Sequence, residues 1–127
     1  MNEFEIKKLE EAIKKSWDGK TCYPPLAGKW TIKNPSLGQC AVTALIVQDL
    51  FGGELMHCTH KNHYWNLLPD KTEVDLTRGQ FPPNAIICFD KLVTRQYLLD
   101  GKAAIIARTK ERYELLKQRV QNAADKC

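Results

Sequence analysis

Apolar residues recur along the chain with two different periods, and the changes between them divide it into elements. Ile6, Leu9, Ile13 and Trp17 follow one another at spacings of 3, 4 and 4 among charged residues, which predicts an amphipathic helix over 2–17. Asn2 and Glu5 have the spacing of a capping box, with Asn in place of Ser or Thr, so this helix starts almost at once. From Asp18 to Gln39 no period survives, because Gly19, Pro24, Pro25, Gly28, Pro35 and Gly38 interrupt it. Loops of this length inside a compact domain are uncommon and often functional. Tyr23, Leu26, Trp30 and Ile32 give this one apolar area to pack, and it is expected to line a site. The run AVTALIV (41–47) is apolar on nearly all sides, so the helix over 39–50 is expected to be central and buried, ended by Gly52 or Gly53 in a left-handed conformation.

Beyond Gly53 the period becomes two. ELMHCT (54–59), HYWNLLP (63–69) and TEVDLT (72–77) read as three antiparallel strands, with turns at 59–62 and at Pro69, Asp70 and Lys71. AIICF (85–89) adds a short buried strand, and TRQYLLDG (94–101) a capped helix with a glycine stop. KAAIIAR (102–108) fits strand or helix. Tyr113, Leu116 and Val120 then mark a second amphipathic helix over 109–124. There is no internal repeat, and residues 1–127 are expected to form a single α+β domain.

Composition narrows the classes of function. With 43% hydrophobic and 27% charged residues, the chain has the make-up of a globular domain with a packed core. The net charge of +4 is scattered, and Glu10–Lys14 and Glu11–Lys15 are helix-stabilising pairs, so no nucleic-acid partner is expected. No apolar run approaches the roughly 20 residues that span a bilayer, and the opening MNEFEIKKLEE has no apolar signal core. A cytoplasmic protein without a membrane partner is the expectation. Cysteines at 22, 40, 58, 88 and 127 form an odd set without paired spacing, which suits free thiols rather than a disulfide framework.

One of these thiols stands where chemistry is favoured. Cys40 opens the buried helix, where unpaired backbone amides and the helix dipole favour a thiolate, although a free cysteine is also commonly a small core residue. A base is available in His63, at the start of its strand, and an orienting carboxylate in Asp75 on the next strand. Strand parity decides whether these two meet. A three-residue loop at Pro69, Asp70 and Lys71 pairs Leu68 with Thr72 and Trp65 with Asp75. His63, Trp65 and Asp75 then share one face, with His63 and Asp75 roughly 7 to 8 Å apart as diagonal neighbours. A two-residue loop would put Asp75 on the other face. A zinc reading rests on His57, Cys58, His60 and His63, but alternation turns His57 away from Cys58 and His60, and no metal or other cofactor is expected. His57 and His60 are expected as solvated rim residues, Cys22 as packing with a second reading near the site, Cys58 and Cys88 as core, and Arg78 and Gln80 as solvated groups that could also approach the site from the strand end.

GQCAVTALIVQDLFGG followed by HYWNLLPDKTEVDLT resembles the cysteine, histidine and aspartate motifs of the papain-like and transglutaminase-like superfamily. Together with SWDGKTCYPP before it, TRGQF after it and the late RYELLKQRV, it is similar to the small bacterial YunG-like family over roughly residues 16–120. The resemblance implies a papain-like α+β domain in which a central cysteine-bearing helix packs on an antiparallel sheet, flanked by N- and C-terminal helices. It implies that Cys40 is the nucleophile, His63 the base and Asp75 the group that orients the imidazole. The oxyanion would rest on the Cys40 amide and a side-chain donor: Asn34, at the offset where papain-like enzymes carry glutamine, or Gln39. Trp65 and Trp30 are the candidate substrate contacts, Trp65 also being readable as packing. Two functions follow: a thiol hydrolase or acyl transferase acting on an amide, ester or isopeptide of a small molecule, peptide or protein, or a non-catalytic binding module that uses loop 18–39 for recognition.

Overall fold

The computed structural model describes residues 3–125. Helix α1 spans Glu3–Lys14, with Leu9 and Ile13 on its buried face; Asn2 of the capping box lies outside the described residues. The helix is shorter than its apolar period, because Ser16 and Trp17 both turn their N–H groups back onto the Ile13 carbonyl. Trp17 is nonetheless buried, and its indole N–H donates to Thr43 Oγ1 at 3.0 Å, tying the end of α1 to the central helix.

That central helix, α2, spans Cys40–Phe51 and buries every residue from Val42 to Val47. It ends in the two glycines, with φ of 74° at Gly52 and 83° at Gly53. A Cβ on Gly53 would stand 2.2 Å from the Leu67 carbonyl oxygen, so only glycine lets the chain leave α2 this close to the sheet.

The sheet contains β1 (Glu54–Cys58), β2 (His63–Leu67), β3 (Glu73–Val74) and β4 (Lys91–Val93), in the order β3-β2-β1-β4. All three pairings are antiparallel. Its two faces do different work. Leu55, Leu68 and Val74 join α1, α2 and the last helix in the main core, and the buried Asn66 amide donates to the Ala44 carbonyl of α2 at 2.9 Å. On the opposite face Met56, Cys58 and Trp65 form a second, smaller cluster capped by Ile87.

After β4, Thr94 caps α3 (Arg95–Asp100) by accepting from the Tyr97 N–H. The ambiguous KAAIIAR segment is helical, α4 spanning Lys102–Ile106, and α5 (Thr109–Asp125) returns along α1 and α2 with Tyr113, Leu116 and Val120 in the core. Arg95 locks α3 to the bundle through Asp49 and Gln48 of α2 and the Tyr113 hydroxyl of α5.

Residues 85–89 are not a strand. Ile86, Cys88 and Phe89 are exposed, with Ile87 capping the second cluster and the Phe89 ring meeting Trp65 edge-on at 6.4 Å, so Cys88 is a surface thiol rather than a core one. The reason is competition for carbonyls. The Arg78 guanidinium takes those of Pro82 at 3.3 Å and Ala85 at 2.8 Å, and pairing with β1 resumes only at Lys91.

Candidate functional site

The first turn of α2 leaves its N–H groups without intrahelical acceptors, and Gln39 makes no side-chain cap over them. Cys40 therefore sits half-buried at an uncapped, electropositive helix end. Its Sγ lies 3.9 Å from the Asn62 carbonyl, the last residue of the β1–β2 turn. Asn62 adopts φ of 48°, which asparagine tolerates well, and this bend delivers His63 to the thiol.

The β2–β3 register pairs Asn66 with Val74 and Leu67 with Glu73, while Leu68 N–H donates to the Thr72 carbonyl across the three-residue loop. In this register Asp75 falls on the face of His63, and His63 Nε2 meets Asp75 Oδ2 at 2.7 Å. The other carboxylate oxygen accepts from the Thr77 N–H at 3.2 Å and hydroxyl at 3.3 Å, which fixes the rotamer. The His63 ring is fully buried, stacked on Trp65 at 5.5 Å between centroids and met edge-on by Phe81 at 4.9 Å. Burial opposes its protonation, but the hydrogen bond with Asp75 and the interaction with Cys40 outweigh that and raise its pKa from 6.5 to about 9. Cys40, His63 and Asp75 thus form one cluster, although α2 packs on the opposite sheet face. The thiol interacts with the imidazole from beyond the end of β2, next to the Asn62 carbonyl.

Gln80 belongs to the same site and is not a solvated strand-end group. Its Oε1 accepts from the Gly38 N–H at 3.2 Å, and its Nε2 lies 3.4 Å from His63 Nδ1. The backbone donor fixes which way the amide points. In the neutral ring the Gln80 Nε2 donates to Nδ1, a long and weak contact, and the His63 proton sits on its own Nε2 facing Asp75; below the raised pKa Nδ1 is protonated as well and this contact is lost. No spacing rule in the chain singles out Gln80; the only sequence signal is its place in TRGQF, shortly after Asp75.

The other candidates stand elsewhere. Gln39 is fully buried and its amide donates to the Asp18 carbonyl at 3.1 Å, so it is not an oxyanion donor. Asn34 is held in a turn between Thr31 and Leu37 and is not among the residues around the Cys40 cleft. The Trp30 indole donates to the Pro35 carbonyl at 2.8 Å, and Trp65 is a buried support for His63 bonded to Glu73. Neither tryptophan lines the cleft. His57 is buried rather than at the rim, stacked on Tyr64 at 4.3 Å and 3.4 Å from Asn62 Oδ1, while His60 is exposed. Burial pushes the His57 pKa down, favouring the neutral ring. Among the described residues no three His, Cys, Asp or Glu side chains converge on a point that would hold a metal ion. Cys22 is packing: its thiol donates to the Leu37 carbonyl at 3.2 Å, and burial pushes its pKa up.

Beside Cys40 opens a cavity of about 710 Å³, a size that accommodates a small organic molecule. Loop 18–39 contributes Tyr23, Leu26, Leu37 and Gly38 to its wall, and α3, α4 and α5 close the far side with Tyr97, Ala104 and Arg112. The loop is organised by a 3₁₀ turn over Pro24–Lys29, while Ile32 projects into solvent.

The fold and the site define a small α+β protein with a four-stranded antiparallel sheet and a Cys-His-Asp cluster at the mouth of a cleft. The chain belongs to the YunG protein family, whose model matches residues 5–125. It is 38% identical over 71 residues to a Bacillus subtilis (strain 168) protein described as "Uncharacterized protein YunG", a match that covers 54% of this chain and 56% of that protein. The matched stretch is therefore little more than half of the relative's length. No solved structure matches the chain. Among the described residues no helix is long and apolar enough to cross a membrane.

Proposed function

We propose that the chain has a papain-like architecture and acts as a thiol hydrolase or acyl transferase on an amide, ester or isopeptide bond. The observation that carries this reading is the fully buried His63 ring held by Asp75 at 2.7 Å while Cys40, at an uncapped helix start, interacts with it. His63 Nδ1 takes the Cys40 proton, and Asp75 holds the Nε2–H and stabilises the imidazolium. The thiolate adds to the carbonyl carbon, and the new oxyanion rests on first-turn amides of α2. Once Nδ1 carries a proton it faces the Gln80 NH₂ donor to donor, so that amide is released and becomes a second oxyanion donor. Collapse breaks the carbonyl bond to the amine or alcohol, which leaves with the Nδ1 proton. Water, or an acceptor amine in a transferase, then attacks the thioester with His63 again as base, restoring the thiol.

Iodoacetamide labelling at neutral pH, followed by peptide mass mapping, tests this reading. The exposed Cys88 supplies an internal control. Cys40 is expected to react at least ten times faster than Cys88, and His63→Ala to abolish that advantage while leaving the Cys88 rate alone. Equal rates at the two thiols, or indifference of Cys40 to the loss of His63, would instead make the chain a binding module on this scaffold.

A further inference from the structure

The cleft beside Cys40 is lined by three cations, Lys61, Lys91 and Arg112, and by no aspartate or glutamate. Arg112 is the unusual one. It is only 6% exposed, yet its partners are neutral: Nε donates to the Ala107 carbonyl, one terminal nitrogen to the Thr21 carbonyl and the other to Thr109 Oγ1. Among the described residues it pairs with no carboxylate. A guanidinium has five N–H groups, so one on each terminal nitrogen is left without a protein acceptor. Burying a charge without a counter-charge is costly, and burial indeed pulls the Arg112 pKa down. The protein bears this at the wall of an otherwise partly apolar cavity, where Tyr64 and Tyr97 also stand.

We infer that this wall is the recognition site for a carboxylate, and that the acyl compound presented to Cys40 carries one: an N-acyl amino acid or a peptide bound by its free C-terminal carboxylate. Two N–H groups on one planar fork match the two oxygens of a carboxylate. Lys61 and Lys91 add long-range attraction at the mouth. The identity of the acyl compound rests on the proposed chemistry at Cys40; the carboxylate subsite does not, because binding needs no intact thiol.

The test uses the full chain with Cys40→Ala, which cannot turn over substrate. N-acetyl derivatives of the twenty amino acids, and the primary amides of the same compounds, are titrated separately by ligand-observed NMR. At least one acid is expected to bind with its amide ten-fold or more weaker. The double variant Lys61→Gln/Lys91→Gln, both positions outside the packed core, should weaken the acid three-fold or more and leave the amide alone. Arg112→Lys, with its fold checked by circular dichroism, should remove the preference for acid over amide. The inference is overturned by equal binding of acids and amides, by binding of neither, by lysine variants without effect, or by phenyl phosphate displacing every acid at lower concentration. Failure of the labelling experiment alongside acid-selective binding would retire the Cys40 chemistry and keep the subsite.

Discussion

Replacing Asp75 with Asn probes the centre of the site with a nearly isosteric change. The rise of the His63 pKa from 6.5 to about 9 corresponds to roughly 3 kcal/mol of extra preference for the imidazolium, at about 1.4 kcal/mol per unit. That preference is what remains after burial has acted against it, and Asp75 and Cys40 supply it together. An amide can turn its NH₂ toward Nε2, which removes the charge and moves the ring proton to Nδ1, the wrong nitrogen for accepting the thiol proton. His63 ring resonances followed by NMR against pH should titrate near 9 in the native chain and at least one unit lower in Asp75→Asn. The effect on stability has a definite sign. Between 6.5 and 9 the folded state holds a proton that the unfolded state has lost, so stability falls as pH rises through this window, and the contribution is complete only below 6.5. Compared in a Cys40→Ala background, which removes the coupled thiol, Asp75→Asn should lower stability by about 1 to 3 kcal/mol at pH 6. At roughly 3 to 6 °C per kcal/mol for a domain of this size, the gap is readily seen in Tm, and it should narrow steadily toward pH 9. A native His63 that titrates below 6.5, or a gap that does not change with pH, would refute the ion-pair account.

Gly53→Ala should destabilise the fold by more than about 2 kcal/mol in urea, because strain at positive φ adds to a clash with backbone of the β2 strand end. Gly52→Ala, where the nearest atom is Pro69 Cγ at 3.7 Å, should be milder, and equal losses would show that only backbone strain matters. Under native conditions Cys22 and Cys58, each 1% exposed, should resist alkylation until denaturant is added, whereas Cys88 reacts at once; early labelling of Cys22 would contradict the packing of loop 18–39 against Leu37. Arg78→Ala should release the carbonyls of Pro82 and Ala85 and make residues 82–90 the first site of limited proteolysis, while an unchanged cleavage pattern would mean that Ile87, Phe89 and Asp90 hold the segment without it.

How much of this was legible in the chain follows from how far apart the interacting residues lie. Periods of 3.6 and 2 are local, so α1, α2, β1, β2 and α5 stand out from their own side chains. The three-residue loop at 69–71 sets the parity that brings Asp75 to the face of His63, because strand register is determined by the turn between two neighbours. The failures share the opposite property. AIICF has the composition of a strand, but its carbonyls belong to Arg78, whose reach depends on the path of the chain through Pro82 and Pro83. Asn34 and Gln39 sit near Cys40 in sequence and were natural oxyanion donors, yet the folded loop spends the Gln39 amide on Asp18 and holds Asn34 in a turn.

By itself, then, the amino-acid sequence determined the α+β class, the thiol at a helix start and the pairing of histidine with aspartate, since each depends on periodicity or on a turn a few residues long. Only the tertiary structure decided that Gln80, 42 residues from Gly38, completes the site, and that Arg112, 91 residues from Thr21, walls the cleft as an unpaired cation. No local pattern encodes those contacts. They exist because burial of the α2 helix brings distant segments together around its first turn, so that side chains far apart in the chain share the wall of one cleft.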